Sequence, residues 1–192
     1  MLDVPSRQRA NGVARRRGFA LAWRGGLGLA FPAMPAAKLK TPTEAAAIRD
    51  DFARRGRRLV FTNGCFDLLH VGHVRYLQQA RALGDALLVA VNGDASVRAL
   101  KGPTRPLNSE DDRAEVLAAL AGVDFVVVFH TERVTELIRT IRPQVYAKGG
   151  DYTIDSLNPE ERVALQDTGA EIRILPLVPG KSTTAILEQM QK

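Results

Sequence analysis

Short apolar runs alternate along this chain with stretches of helical period, and Gly or Pro punctuates most of the changes. Thr41-Pro42-Thr43-Glu44 opens the first helix. Thr41 stands at the N-cap, Pro42 at the first helical position, and Glu44 where a capping box needs it. That helix is predicted to run to about Arg55 and to stop at Gly56. A buried strand follows over 58–62, because Leu59, Val60 and Phe61 are consecutively apolar. Next come a helix over 71–83 ending at Gly84, an apolar strand over 86–91, and a helix over 111–120 capped by Ser109 and followed by Gly122. The second half keeps the rhythm: strand 123–129, helix 131–141 closed by Pro143, strand 144–147, helix 159–167 ending at Gly169, and strand 171–175. Ser182 is expected to cap a final helix reaching about Met190.

Strands that are apolar on both faces and alternate with helices specify a doubly wound α/β fold, a parallel five-stranded sheet covered on both sides. Right-handed crossovers gather the strand-to-helix loops at the carboxyl edge of such a sheet. The loops after the first, second and fourth strands are therefore expected to converge. Residues 34–192 read as a single domain without internal repeats.

Composition changes this picture only once the charge is located. With 192 residues, 45% apolar and 25% charged, the chain suits a globular domain able to bury a full core. A net charge of +6 suggests nucleic acid as a partner, but residues 1–33 hold six arginines (Arg7, Arg9, Arg15, Arg16, Arg17, Arg24) against Asp3. The other 159 residues carry only +1 of the total, which does not support a basic groove for nucleic acid. The basic tail reads as a transit peptide, as a disordered extension, or as sequence upstream of a true start at Met34. Its apolar run over 27–33 contains Pro32 and falls far short of the ~18 residues of a membrane span, so no membrane partner is expected. The single cysteine, Cys65, excludes an internal disulfide framework and suits a reducing cytoplasm.

The candidate chemistry begins in Thr62-Asn63-Gly64-Cys65-Phe66-Asp67-Leu68-Leu69-His70-Val71-Gly72-His73. Gly64 permits a sharp turn and close approach of a phosphate or ribose. His70 and His73 lie three apart at a helix start, so their rings share one side. Gly72 between them leaves room for a ligand over the helix N-terminus, where free amides favour an anion. Two imidazoles with those amides suit the charge that develops on a phosphate under attack. A zinc site needs a third and fourth ligand, and none stands nearby, so no protein-held metal is expected.

Further along, Lys101-Gly102-Pro103-Thr104-Arg105-Pro106 is either a stiff loop holding phosphates or a solvated basic loop. Asp94 sits in a polar turn with or without a substrate role. Arg113 begins a helix, where a cation opposes the dipole. That suggests a phosphate partner, or a salt bridge to Asp111 or Asp112. Lys148-Gly149-Gly150 reads as a mobile loop closing on an anion, with Tyr152 as ordinary core at its base. Ser182-Thr183-Thr184 offers amides and hydroxyls at a helix start, as an N-cap and as a second phosphate cradle.

GCFDLLHVGH resembles the signature Gly-x-Phe-Asp-x-x-His-x-Gly-His of the cytidylyltransferase-like nucleotidyltransferases, and the similarity spans about 58–192. TNGCFDLLHVGH, VAVNGDASVRALKGPTRPLN, AKGGDY and STTAIL, in that order, are most similar to the adenylyltransferases acting on D-glycero-β-D-manno-heptose 1-phosphate in ADP-heptose synthesis for lipopolysaccharide. The resemblance implies a Rossmann-like sheet of nucleotidyltransferase type. It implies that His70 and His73 contact the NTP phosphates and stabilise the transition state, with Lys101 on the triphosphate or the acceptor phosphate. Thr62, Asn63, Gly64, Cys65 and Phe66 would line the nucleotide pocket, joined by Gly72, Arg113, Lys148, Gly149, Ser182, Thr183 and Thr184. Asp67, Asp94, Arg105 and Asp151 would serve the substrate, with Asp67 alternatively capping the helix. Val178-Pro179-Gly180-Lys181-Ser182 departs from the Arg-Thr-x-Gly-Ile-Ser stretch of the glycerol-phosphate cytidylyltransferases.

The expected reaction is in-line displacement by a sugar 1-phosphate on the α-phosphorus of ATP, with pyrophosphate leaving with Mg²⁺. The resemblance further implies a homodimer and a separate sugar kinase as functional partner. Three other readings stay open: CMP transfer to an alcohol phosphate or AMP transfer to FMN, a silent nucleotide-binding module, and a nucleic-acid binder acting through the basic tail.

Overall fold

In the computed structural model, which describes residues 35–150, 153–176, 180, 183, 186 and 189, the Thr41 capping box is formed. The Thr41 amide donates to Glu44 Oε2 at 2.7 Å, and the Glu44 amide donates to the Thr41 hydroxyl at 3.2 Å. The reciprocal bonds satisfy two amides that a helix start leaves without partners. Helix α1 (Pro42–Arg54) then buries Ala45 and Phe52.

The apolar runs become β1 (Leu59–Gly64), β2 (Ala86–Asn92), β3 (Phe125–Phe129), β4 (Val145–Gly149) and β5 (Glu171–Leu175). All pair in parallel, in the order β3-β2-β1-β4-β5. Between them run α2 (Val71–Arg81), α3 (Asp94–Lys101), α4 (Glu110–Ala119), α5 (Thr135–Ile141) and α6 (Pro159–Asp167). On one face Phe61, Leu88 and Tyr146 pack against Phe52 of α1, Ile138 of α5 and Leu165 of α6. On the other, Val60, Leu87, Val89 and Ala147 meet Leu77 of α2 and Leu117 of α4. Alternate strand residues thus enter different cores, which is why the strands read as unbroken apolar runs. The doubly wound sheet is the one expected. Its strand order reverses between β1 and β4, and ligands of such sheets bind at the carboxyl end of that crevice.

The departures from expectation matter for the site. β1 runs on to Gly64 because its pairing with β2 continues through Asn63↔Ala90 and Gly64↔Val91. Thr62, Asn63 and Gly64 therefore end a strand instead of forming a loop. β4 likewise extends to Gly149, paired with Leu175, so Lys148 and Gly149 belong to the sheet and not to a mobile loop. Helix α3 was not expected at all. It is eight residues long and buries only Ser96 and Val97. Lys101 consequently ends a helix, and the basic loop starts at Gly102, whose φ of +98° is one that glycine tolerates. β3 starts at Phe125 because Val123 closes a turn on Leu120, and α5 starts at Thr135 instead of 131. The remaining boundaries fall within two residues. The expected cap at Ser182 lies outside the described residues, while Thr183, Ile186 and Gln189 are helical. No helix among the described residues is long and apolar enough to cross a membrane.

One side chain braces the crevice. Tyr76 of α2 donates its hydroxyl to Ala147 O of β4 at 3.0 Å and accepts from the Thr62 hydroxyl of β1 at 2.6 Å. A Cβ on residue 149 would come within 2.7 Å of the Tyr76 ring, so glycine there makes room for the brace. Tyr76→Phe should strand the buried Thr62 hydroxyl and lower stability by about 1–3 kcal/mol in chemical denaturation. Unchanged stability would show that Tyr76 fills space without bracing the strands.

Candidate active site

Beyond β1 the chain turns through Phe66, whose φ of +47° is left-handed and unusual for a bulky residue. The turn aims the buried ring edge-on at His73, 5.5 Å between centroids. Gly64 accommodates that ring, since a Cβ there would lie 3.0 Å from it.

Asp67 follows and is 5% exposed. Its carboxylate accepts from Arg105 Nε at 2.5 Å, Leu107 N at 2.7 Å and Asn108 N at 3.1 Å. Its carbonyl accepts from Asn108 Nδ2 at 2.8 Å. Of the roles expected for Asp67, capping of α2 falls to His70, and the carboxylate fastens the 102–108 loop to the turn after β1. Arg105, expected on the substrate, is paired with that same carboxylate.

The cap of α2 is His70, whose Nδ1 accepts from the Gly72 amide at 3.1 Å. His73 Nδ1 accepts from the His70 amide at 3.4 Å. The two rings stand 4.0 Å apart. With Nδ1 accepting in both, the ring proton of each sits on Nε2. Burial, reinforced by the neighbouring His70, pulls the His73 pKa down to about 4. His73 is therefore a neutral hydrogen-bond donor at physiological pH, and a weak base.

Arg113 is 2% exposed and fully engaged. It donates to Cys65 O at 2.6 Å, Asp94 Oδ1 at 2.8 Å and Asn108 O at 3.1 Å. Its carboxylate partner is Asp94, not Asp111 or Asp112, because the helix start points inward under the β1 turn. Asp94 is held in turn by its backbone N–H, which donates to Glu110 Oε2 at 2.7 Å. Both residues tie neighbouring loops together. Burial pushes the Cys65 thiol up against the pull of Lys101, Arg113 and Arg105, a poor state for a nucleophile. Lys101 is exposed within electrostatic reach of that turn.

Across the crevice, Tyr146 of β4 donates to Asn63 Oδ1 at 2.8 Å, and Lys148 Nζ donates to the Tyr146 hydroxyl at 3.3 Å. Lys148 also lies 4.0 Å from Glu161 of α6. Burial lowers its pKa, with Glu161 opposing. The Thr183 hydroxyl donates to Leu68 O at 3.3 Å, which brings the last helix beside the entrance to α2. Asp151, Ser182 and Thr184 lie outside the described residues. Sequence reasoning missed Tyr76, Asn108, Glu110, Tyr146 and Glu161. Tyr146 carried one signal, a polar tip inside a buried strand.

Among the described residues no group of three His, Cys, Asp or Glu is arranged to hold a metal ion. Asp67 and Asp94 are committed to arginines, while imidazoles, amides and ammonium groups face the crevice.

Residues 61–188 match the cytidylyltransferase-like family. The chain is 54% identical over 137 residues to the bifunctional protein HldE of Syntrophotalea carbinolica, covering 71% of this chain and 28% of that protein. It is 53% identical over 155 residues to the bifunctional protein HldE of Geotalea uraniireducens, covering 81% and 31%. The chain therefore spans about three tenths of the length of these relatives. The crystal structure of the lipopolysaccharide core biosynthesis protein from Thermoplasma volcanium is similar at a TM-score of 0.54 and 27% identity, over 64% of this chain and 98% of that one.

The depressed His73 pKa carries a signed consequence. Between pH 6.5 and about 4 the unfolded chain takes up a proton that the folded site refuses. Stability should therefore be intact above that window and fall as the pH drops through it. His73→Gln should flatten this part of the stability–pH curve, and an unaltered slope would contradict a neutral His73.

Proposed function

The chain belongs to the cytidylyltransferase-like family, and from that premise we propose that it transfers AMP from ATP to D-glycero-β-D-manno-heptose 1-phosphate, releasing pyrophosphate and forming ADP-heptose. The observation that carries this reading is the His70–His73 pair, whose Nδ1 atoms accept from amides at the start of α2, at the strand-order switch point. A phosphate oxygen of the sugar 1-phosphate attacks the α-phosphorus, and the bond to the bridging β-phosphate oxygen breaks. The attacking dianion needs no strong base, which agrees with a His73 too acidic to act as one. The imidazoles instead donate to oxygens that gain charge in the transition state. Lys101 adds a cation at the same edge, and the dipole of α2 favours the phosphate chain. Mg²⁺ would be held by the triphosphate oxygens, where it supplies charge neutralisation.

The adenine base and the heptose rest on the ordered motifs and on the HldE relatives. The lipopolysaccharide role draws on the Thermoplasma volcanium protein as well. Under this reading a sugar kinase activity supplies the 1-phosphate, the enzyme works in the cytoplasm, and it forms a homodimer.

The test is pyrophosphate release with Mg²⁺, offering ATP or CTP with heptose 1-phosphate and, separately, with glycerol 3-phosphate. Turnover is expected only with ATP and the heptose. His73→Ala should lower kcat by about 10²–10³-fold, the usual effect of removing one transition-state donor. Turnover with CTP and glycerol 3-phosphate would overturn the substrate assignment, and no release with any pair would favour a binding module.

A further inference from the structure

Between β4, the turn around 154–158 and α6 lies a cavity of about 310 Å³, lined by Arg133, Lys148, Ser156, Leu157, Asn158 and Glu161. Its size is at the lower end of small-molecule sites, about 300–1,000 Å³. Glu161 is only 7% exposed, yet among the described residues its carboxylate accepts no hydrogen bond. Its nearest cation, Lys148 Nζ, stands 4.0 Å away, beyond hydrogen-bond range. The carboxylate oxygens open on the cavity, so a ligand there can supply the donors that the protein does not. The local backbone does not supply them, because Asn158 Oδ1 takes the Glu160 and Glu161 amides at 3.0 and 3.3 Å.

The cavity lies at the carboxyl edge that holds the histidines. The bonds from Lys148 to Tyr146 and on to Asn63 tie its wall to the end of β1. It opens on the α5–α6 face, because Lys148 shares the side of β4 taken by Tyr146. Its lining is polar apart from Leu157: two cations, a carboxylate, a hydroxyl and an amide. Such walls suit a polyhydroxylated anion and offer little to an adenine ring, which favours apolar faces.

We propose that this cavity receives the sugar body of the acceptor, with Glu161 accepting a sugar hydroxyl and Lys148 and Arg133 donating to its oxygens. The proposal rests on the adenylyl-transfer reading and moves Lys148 from the nucleotide to the acceptor. Glu161 and Arg133 become specificity-determining residues that the motifs do not mark.

The experiment is steady-state pyrophosphate release with heptose 1-phosphate and ATP varied separately, for the wild-type chain, Glu161→Gln and Arg133→Ala. Glu161→Gln should raise KM for heptose 1-phosphate tenfold or more and leave KM for ATP within twofold. Arg133→Ala should shift the same constant by a smaller factor, and it decides alone if Glu161→Gln does not fold. A rise in KM for ATP, or no change in either constant, overturns the proposal while leaving the activity in place. A wild-type chain that releases no pyrophosphate from this pair overturns the parent reading, and this one with it.

Discussion

The active-site edge is organised around one buried carboxylate. Asp67 accepts from Arg105, from the amides of Leu107 and Asn108, and is 5% exposed. A charge removed from water survives only when such donors replace its hydration. The consequence is geometric: the turn after β1, which carries the histidines into α2, is fastened to a loop about forty residues later in the chain. Arg113 forms the second node, joining Cys65, Asp94 and Asn108 from inside. Three segments without mutual sheet pairing are thereby held as one surface.

This arrangement divides the charged residues into two sets. Asp67, Asp94, Arg105 and Arg113 face one another and set positions. His70, His73 and Lys101 remain at the crevice, where they can meet phosphate. A body that is nearly neutral overall thus presents donors and cations at one edge. The brace from Tyr76 to β1 and β4 fixes the width of the same crevice, so the two sides of a bound nucleotide would be set by hydrogen bonds instead of by flexible loops. Preorganised donors of this kind lose little on reorganisation when charge develops.

The sheet was legible because its information is local. Consecutive apolar residues at 59–61 and 86–91 and the Thr41 capping box each state their element within a few positions. Helix α3 was not legible, because it buries two small-to-medium side chains and leans on Arg113 and Glu110 through Asp94. The histidine pair stood out by its spacing, and the structure adds what spacing cannot carry: the Nδ1 acceptors that set the tautomer. Arg113 was noticed for a cation that opposes the helix dipole and Asp94 for its polar turn at the sheet edge. Their mutual pairing is a contact across 19 positions, invisible without the fold. Glu161 gave no signal, since a glutamate in the first turn of a helix is ordinary until its burial is known.

The central claim is that Asp67, through its bonds to the 102–108 loop, holds the histidines in their working place. Steady-state pyrophosphate release by Asp67→Asn, measured where circular dichroism shows the fold retained, tests it most directly. The account predicts a fall in kcat/KM of about 10²-fold, the scale expected when catalytic groups shift by about 1 Å. Wild-type kcat/KM in a folded Asp67→Asn chain would contradict it, and the histidine turn would then be held by the sheet alone.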